Sequence, residues 1–390
     1  MSDSEAVAWR IYARRQPVSD AARHYLLSAA EGIRIFQERI IPDLLTGPQP
    51  QEQPTVVFVV GQHGAGKSSV ADVIAEVLNK HGGFAELDSD LYKPYHPRYQ
   101  ELMRRDDTLM AAYIGPDSWA WRVQAHEYAR AHKFNVLKPE TARDSRDAAA
   151  HMRTYRDAGY RVEVMVLAVP AAMSNQGIVN RYYEQAADRG HGRLPVQANA
   201  DRAYTGVLDL AGVIDRDRLA DLVGLFRRGE AAPRYGNALT AAGQWETTPA
   251  LRASIEAERA RAWTAEETAD FLRTHAKLWH ELGPRWTRQL DDILRQAQPL
   301  LAPAAQAAFE PATAQPAERG AGPTVSDDLR QAIEAARAAR DAATARQAAT
   351  EAEEADRRRA ARDVLEHGGS RQPGHTGRDA EADAEPEAGM

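Results

Sequence analysis

Residues 55–69 read Thr-Val-Val-Phe-Val-Val-Gly-Gln-His-Gly-Ala-Gly-Lys-Ser-Ser, and this stretch decides the fold. The apolar, mostly β-branched residues 56–60 predict a buried strand, which runs directly into the pattern G-x-x-x-x-G-K-S. Apolar residues then recur at helical spacing over 70–78, so a helix is expected after the motif. A strand, a glycine-rich turn and a helix start in this order predict a phosphate-binding loop rather than a chance lysine in a turn.

The motif gives each of its residues a role in holding a nucleoside triphosphate. Glycines let the backbone approach a polyphosphate, and the loop amides and the helix start supply positive charge. Lys67 is expected to reach the β- and γ-phosphates, and the Ser68 hydroxyl is expected to bind Mg²⁺. The predicted nucleotide-binding residues are Gly61, Gln62, His63, Gly64, Ala65, Gly66, Lys67, Ser68 and Ser69.

The bulk composition is that of a globular protein, with 390 residues, 43% hydrophobic and 27% charged. The chain has no cysteine, which excludes disulfides, thiolate zinc sites and a cysteine nucleophile, and which fits a cytoplasmic location. A net charge of −7 gives no argument for a nucleic-acid partner. The acidic N-terminus does not resemble a secretory signal, and no apolar run approaches the ~20 residues that cross a bilayer. We therefore expect neither nucleic acid nor membrane as a partner.

Strands and helices are predicted to alternate along the middle of the chain. The predicted strands are 55–60, 84–87, 134–137, 161–168 and 219–226, and the predicted helices are 67–81, 98–112, 116–133, 146–158, 172–187 and one after Pro195. This alternation predicts an α/β fold of the phosphate-loop kinase type, in which helices cover both faces of a parallel sheet. An N-terminal helical extension, a C-terminal helical extension and a disordered tail are expected to complete it.

Four regions are expected from composition and periodicity. They are an N-terminal helical extension (1–50), a kinase-like core (51–230), a helical C-terminal extension (231–302), and an Ala/Arg/Glu-rich linker, helix and disordered tail (303–390). Thr264 and Glu267 form a predicted capping box, and the pair Gly283-Pro284 should break the helices that follow. The two helical extensions could restrain the site from within the chain or simply cover the core, and amphipathic stripes favour core cover.

Two acidic and two basic side chains are further candidates for the site beside the phosphate loop. Asp88 and Asp90 come after the second strand, where an acid could accept a proton from a substrate hydroxyl, or could simply cap the next helix. Spacing alone leaves these readings about even. Arg181 and Arg193 could stabilise a transferring phosphoryl group, although an arginine in so arginine-rich a chain is more often a surface residue.

The order of these motifs resembles the zeta toxin family, the toxin halves of epsilon/zeta systems and their solo relatives. Besides the phosphate loop, the resemblance is carried by Asp88-Ser89-Asp90-Leu91-Tyr92-Lys93-Pro94-Tyr95-His96-Pro97, by Gly159-Tyr160 through Ala168-Val169-Pro170 with Ser174 behind it, and by Arg181 and Arg193. It covers about residues 56–226. The four blocks appear in one order, which makes the resemblance specific.

The resemblance implies a kinase that uses ATP or GTP with Mg²⁺ to phosphorylate the 3′-hydroxyl of UDP-N-acetylglucosamine and so interferes with cell-wall synthesis. By resemblance Asp90 is the catalytic base, and Lys67, Arg181 and Arg193 stabilise the transferring phosphoryl group. Substrate-side candidates are Asp88, Tyr92, Lys93, Glu140, Thr141 and Arg143. The implied partners are the nucleotide, the nucleotide sugar and a small helical antitoxin.

One block departs from the family pattern. The family reads an apolar residue, Glu, Gly, Thr, any residue and Arg at the end of the third strand, whereas this chain reads Lys138-Pro139-Glu140-Thr141-Ala142-Arg143. Thr141 and Arg143 match, but Pro139 stands at the position of the acid. Either Glu140 substitutes for that acid from a shifted backbone, or activity is reduced, and the proline removes an amide donor.

Two further hypotheses remain open from the sequence. A kinase of the same fold could phosphorylate another small molecule, such as a nicotinamide dinucleotide or an antibiotic, because acceptor pockets lie in helices and loops that one sequence describes poorly. Alternatively, the chain could be a catalytically impaired nucleotide-binding module that recruits partners through its C-terminal helices.

Overall fold

The computed structural model describes residues 20–307, except 106, 191, 193, 196 and 231. Its strands are β1 (Thr55–Val60), β2 (Ala85–Glu86), β3 (Val136–Glu140), β4 (Arg161–Leu167), β5 (Leu222–Phe226) and β6 (Tyr235–Ala238). They form one sheet in the order β2-β3-β1-β4-β5-β6, in which the first five are parallel and β6 is antiparallel to β5. The predicted α/β fold with a parallel sheet is therefore confirmed.

Helices cover both faces of this sheet. They are α1 (Asp20–Arg23), α2 (Ala29–Ile35), α3 (Lys67–Lys80), α4 (Ser89–Tyr92), α5 (Tyr99–Arg105), α6 (Asp107–Ala131), α7 (Ser145–Asp157), α8 (Ala171–Arg189), α9 (Gln197–Asp217), α10 (Leu251–Ala260), α11 (Ala265–Leu282), α12 (Thr287–Ala297) and α13 (Pro303–Gln306). A π-helical segment, Phe36–Leu45, continues α2. All described residues belong to a compact unit, Met1–Ala336, and the second unit, Arg337–Met390, lies outside them.

The strand β1 divides the core into two halves because its successive side chains point to opposite faces. Val56, Phe58 and Val60 join a cluster with residues of α6, α7 and α9, whereas Val57 and Val59 join a cluster with residues of α3, α8, α11 and α12. Burial on both faces explains why β1 is a continuous apolar run rather than an alternating one. Its carboxyl end is thereby fixed at the middle of one sheet edge.

Both helical extensions cover the core. Ile33, Phe36 and Ile40 of the N-terminal extension are buried in the same cluster as Phe58. On the other face, Leu272 of α11 and Leu290 of α12 are buried in the cluster of Val59, with many neighbours from both helices. These segments are integral to the hydrophobic core, as the amphipathic stripes favoured.

The predicted helix signals at the C-terminal extension are confirmed. Thr264 Oγ1 accepts from the Glu267 amide (3.1 Å), and the Glu267 carboxylate accepts from the Thr264 amide (2.7 Å). These reciprocal bonds form the capping box that begins α11. Gly283, at φ 71°, ends the helix.

Three details of the sequence prediction were wrong. The helix α6 runs through Pro116 instead of beginning there, because buried tertiary contacts hold it: Asp117 accepts from the Leu27 amide (3.1 Å) and lies 3.3 Å from His96 Nε2. The strand β3 continues to Glu140 instead of ending at Leu137. The strand β6 was not predicted, because Tyr-Gly-Asn-Ala has little β-propensity and forms a strand only against β5.

Two further predictions concern a membrane-spanning segment and the C-terminal tail. None of the helices within 20–307 is long and apolar enough to span a membrane. The predicted linker, helix and tail over 303–390 lie outside the described residues, apart from 303–307.

Candidate functional site

The phosphate loop lies at the carboxyl end of β1 and leads into α3. Gly64 has φ 72° and Gly66 has φ 91°, both in the left-handed region that favours glycine. A Cβ on Gly64 would stand 2.2 Å from the backbone oxygen of Ser174, so the loop packs directly against the first turns of α8. Ser174 Oγ also donates to His63 O (2.5 Å). The loop is therefore preformed, and α8 supports it.

A Gly64→Ala variant is expected to lose ATP affinity by about tenfold or more, because the added methyl group would collide with backbone and the positive φ would be strained. Gly159→Ala is the matched control, since Gly159 also has a positive φ (80°) but has no atom within 4 Å of an added Cβ. Titration with a fluorescent ATP analogue measures both. Equal affinities in the two variants would contradict this account of the loop.

The side chain of Lys67 folds back onto the phosphate loop. Its Nζ donates to Gly61 O (2.7 Å) and Gln62 O (3.1 Å). Burial lowers the pKa of Lys67 to about 8, although the carboxylates of Asp88 and Glu140 oppose this shift. Ser68 and Ser69 follow in the first turn of α3 and are exposed. The loop thus offers an ammonium group, two hydroxyls and a helix start to an anion.

The two aspartates after β2 have different surroundings. Asp88 Oδ1 accepts from the Asp90 amide (2.9 Å), so Asp88 caps α4, and burial together with the Asp90 charge raises the pKa of its carboxyl group. Asp90 Oδ1 lies 2.5 Å from Lys93 Nζ, and about half of the Asp90 side chain is exposed. The capping alternative therefore describes Asp88, whereas Asp90 presents a carboxylate to the space beside the loop.

Charged residues from four parts of the chain converge on the loop residue His63. Burial, together with the nearby cations Lys67, Arg181 and Arg143, lowers the pKa of His63 to about 4, and Asp90 opposes this shift. Arg181 and Arg143 are exposed, and Thr141 between β3 and α7 is partly buried. The structure therefore brings a base candidate and three cations to one edge of the sheet. Arg193, the other predicted arginine, lies outside the described residues.

Two predicted substrate-side residues are buried. Tyr92 is fully buried in the core, and its hydroxyl donates to Glu86 O (3.2 Å). Burial is the main cause that raises the pKa of this phenol. Lys93 is 7% exposed and is ion-paired with Asp90. These placements give Tyr92 the role of a core residue and Lys93 that of a partner for the candidate base.

The end of β3 explains the departure from the family pattern. Leu87 N donates to Leu137 O (2.9 Å), and Gly61 N donates to Glu140 O (3.0 Å). Backbone groups of successive strand residues face opposite neighbours, so Pro139 faces the side of β2, which has ended at Glu86. The amide that Pro139 lacks would face β2, the edge strand, beyond the point where β2 ends. Its absence therefore removes no hydrogen bond to β1.

Two arginines at the loop were missed from the sequence. Arg228, which follows β5, donates to Gly64 O and to Ala65 O (3.4 Å). Arg259 Nη2, from α10, donates to Gln62 Oε1 (3.1 Å), and Gln62 Nε2 donates to Val169 O (2.7 Å). The position of Arg228 at the carboxyl end of a parallel strand could have identified it, whereas no local signal marks Arg259.

An Arg259→Met variant is expected to lose about 2–4 kcal/mol of unfolding free energy, because Gln62 Oε1 would remain buried without its donor and the bond to Tyr204 O would also be lost. Arg252→Met on the same helix is the control, because Arg252 is half exposed and its ion pairs lie at the surface. We expect the control to change stability by less than ~0.5 kcal/mol. Urea unfolding measures both, and equal losses would show that Arg259 does not tether the loop.

The donor set fits a Mg²⁺ ion that arrives with a nucleotide. Among the residues that the structure describes, no cluster of three or more His, Cys, Asp or Glu side chains could hold a metal alone. Mg²⁺ beside a polyphosphate needs only one or two protein oxygens, because phosphate and water supply the rest. Ser68 offers an exposed hydroxyl, and Asp88 and Glu140 offer carboxylates whose charges reach Lys67.

Comparison with known proteins gives the family of this chain. The family model "Zeta toxin" matches residues 43–240, just over half of the chain. The chain belongs to the zeta toxin family. Toxin zeta of Enterococcus hirae is 27% identical over 158 residues, which are 40% of this chain and 54% of that relative. Toxin zeta of Streptococcus agalactiae is 29% identical over 138 residues, 35% of this chain and 47% of that relative.

These zeta toxins are matched over about half of their own length. A solved structure from the PezAT chromosomal toxin–antitoxin system of Streptococcus pneumoniae is similar with a TM-score of 0.55 and 17% identity, over 70% of this chain and 98% of that chain. At this identity the likeness concerns the fold, and it agrees with the sheet and its covering helices.

Proposed function

We propose that this zeta toxin family member is an ATP- or GTP-dependent kinase that phosphorylates the 3′-hydroxyl of UDP-N-acetylglucosamine. The observation that supports the proposal most is the half-exposed Asp90 carboxylate beside a preformed phosphate loop, with Lys67, Arg143 and Arg181 close to the same point. Transfer of a phosphoryl group to an alcohol needs a proton acceptor for the hydroxyl and cations around the transferring group. Both are present at one sheet edge.

In the proposed reaction, Asp90 accepts the proton of the sugar hydroxyl as its oxygen attacks the γ-phosphorus. The bond from that phosphorus to the β–γ bridging oxygen breaks, and the nucleoside diphosphate leaves with the electron pair. Lys67 and Arg181 stabilise the negative charge on the transferring group, and Arg193 is assigned the same role by its position in the family pattern. Mg²⁺, held by Ser68 and the nucleotide, would neutralise charge on the phosphates.

The ion pair of Asp90 with Lys93 suits this role. Lys93 contacts the Oδ1 atom of Asp90, and the exposed half of the carboxylate remains open to an acceptor. Arg143 and Thr141, at the end of β3, are proposed to contact the acceptor. A reaction that consumes ATP belongs in the cytoplasm, and a small helical antitoxin is the partner proposed from the family resemblance.

The test is incubation of the purified protein with Mg²⁺-ATP or Mg²⁺-GTP and a panel of acceptors, followed by mass spectrometry. The panel contains UDP-N-acetylglucosamine, UDP-glucose and NAD. We expect a gain of one phosphate on UDP-N-acetylglucosamine and little on the others. Phosphorylation of NAD instead would show that the acceptor is a nicotinamide dinucleotide. Nucleotide binding without any product would favour the hypothesis of a catalytically impaired nucleotide-binding module.

A further inference from the structure

We propose that Lys138 is a positioning residue: it holds the Glu140 carboxylate in place at the phosphate loop for the proposed phosphoryl transfer. The inference rests on the proposed function and adds a residue that the family pattern does not contain, since Lys138 stands where the family has an apolar residue. Lys138, Pro139 and Glu140 then form one coordinated change from the family pattern, rather than a motif that has lost its function.

Lys138 lies in an environment where a lysine is rarely found. Its side chain has no exposed area, and its Nζ lies 5.3 Å from the centre of the Phe58 ring, inside the main core. Burying an ammonium group is costly unless a partner compensates its charge. The compensating partner is the Glu140 carboxylate, which is ion-paired with Lys138 through Oε2.

The pairing follows from the strand geometry. Residues 138 and 140 are two apart in β3, so their side chains lie on the same face of the sheet, opposite Phe58 and Val60 of β1 in register. An acid at 139 would lie on the other face. The one-residue shift therefore moves the acid to the face of α6 and α7, where Lys138 can reach it.

Both oxygens of Glu140 are fixed. Oε2 contacts Lys138, and Oε1 accepts from the Ala142 amide (2.9 Å) in a turn where Ala142 has φ 53°. Gly206 of α9 has no Cβ and approaches Ala142 O closely, so this turn is braced from behind. The carboxylate is held by a lysine of the same strand and by a turn that α9 supports, as a preorganised functional group requires.

Charge keeps Glu140 ionised. Burial raises its pKa, but the charge and hydrogen bond of Lys138, the Arg122 guanidinium and the Ala142 amide outweigh burial and lower the pKa to about 2. The other ionisable groups around this pair are His126 on α6, His151 and Asp147 on α7, and Lys67 on α3. The Glu140 charge in turn raises the pKa of Lys67. Glu140 also contacts the loop directly, because the Gly61 amide donates to Glu140 O (3.0 Å), so Lys138 is connected to the loop through Glu140.

The test is a double-mutant cycle with Lys138→Met, Glu140→Gln and the double variant, with Lys138→Arg as the conservative variant. Each protein is measured for melting temperature, for Mg²⁺-ATP affinity at pH 8.5 and for phosphoryl transfer to UDP-N-acetylglucosamine. A structural role and a positioning role predict different outcomes in the double variant, because removing both charges relieves the uncompensated burial of either one.

We expect Lys138→Met to melt roughly 10 °C lower and to transfer phosphate about 10- to 100-fold more slowly. The double variant should regain most of the melting temperature, yet its transfer rate should stay as low as that of Glu140→Gln, and Lys138→Arg should keep most of the wild-type rate. The proposal is overturned if Lys138→Met transfers at the wild-type rate, if the rate returns with stability in the double variant, or if the two effects on rate multiply.

Failure of the proposed function gives a different pattern. If the wild-type protein phosphorylates no acceptor, the kinase proposal fails, and the cycle is read on Mg²⁺-ATP affinity instead. Because the Gly61 amide of the phosphate loop donates to Glu140 O (3.0 Å), Glu140 adjoins the nucleotide site, and both single variants should bind ATP more weakly at pH 8.5, the double variant no more weakly than Glu140→Gln. If the single variants bind ATP as tightly as the wild-type protein, or if their effects on affinity multiply in the double variant, the role of Lys138 is overturned. This result does not depend on whether the protein is a kinase.

Discussion

An Asp90→Asn variant is expected to transfer phosphate about 10³-fold more slowly than the wild-type protein while binding Mg²⁺-ATP with an affinity within about twofold. Asparagine keeps the size of the side chain but cannot accept a proton from the acceptor hydroxyl. Lys67 donates to Gly61 O and Gln62 O in the loop, whereas Asp90 is ion-paired with Lys93, so nucleotide binding should not depend on the basicity of Asp90. Initial rates of nucleotide-sugar phosphorylation and nucleotide titrations measure the two quantities.

The control for Asp90→Asn is Asp144→Asn. Asp144 caps α7 through the amides of Arg146 (3.0 Å) and Asp147 (3.3 Å), and asparagine is an equally good helix cap. This variant should keep the wild-type rate. Loss of rate in both variants, or a fall in ATP affinity in Asp90→Asn that matches its fall in rate, would contradict the assignment of Asp90 as the base.

A Lys67→Met variant should lose both nucleotide affinity and turnover, with affinity lower by about tenfold or more and transfer lower by about 10³-fold. The methionine keeps the apolar stem and removes the ammonium group that bonds to Gly61 O and Gln62 O. Lys80→Met, at the exposed far end of the same helix, is the control and should leave both quantities unchanged.

The same lysine predicts the pH dependence of nucleotide binding. Phosphate favours the charged form of Lys67, whose pKa in the free protein is about 8, so the affinity is constant below that pH and falls by up to about tenfold per pH unit above it. Burial is the largest cause of this lowered pKa, Arg181 lowers it as well, and the carboxylates of Asp88, Glu140 and Asp90 oppose the shift. Lys67→Met should abolish the dependence, and a persistent fall above pH 8 in that variant would assign it to another group.

Much of the fold could be predicted from local sequence because its decisive signals are local. The apolar run before the glycine-rich loop, the capping box at Thr264 and the break at Gly283 each depend on a few neighbouring residues, and each is confirmed. The elements that escaped prediction depend on distant partners. The strand β6 exists only against β5, and α6 continues through Pro116 because Asp117 is anchored by His96 and Leu27.

The candidate site divides in the same way. The phosphate loop and the location of Asp90 follow from motif and strand position, and the role predicted for Asp90 comes from the family resemblance. In contrast, Arg259 reaches Gln62 from 197 residues away, which no local pattern indicates. From the sequence alone, the departure at the end of β3 has two interpretations: either Glu140 substitutes for the acid of the family pattern, or activity is reduced. Only the pairing of β3 with β1 shows that Glu140 and the buried Lys138 share one face of the sheet.

The central claim is that the phosphate loop and Asp90 transfer phosphate to a sugar hydroxyl rather than to water. The most direct measurement supplies ATP labelled in its γ-phosphate together with UDP-N-acetylglucosamine to the wild-type protein and to Asp90→Asn, and follows the label. We predict that the label appears on the nucleotide sugar with the wild-type protein and is almost absent from it with the variant. Recovery of the label only as free phosphate, or equal labelling of the sugar by both proteins, would contradict the claim.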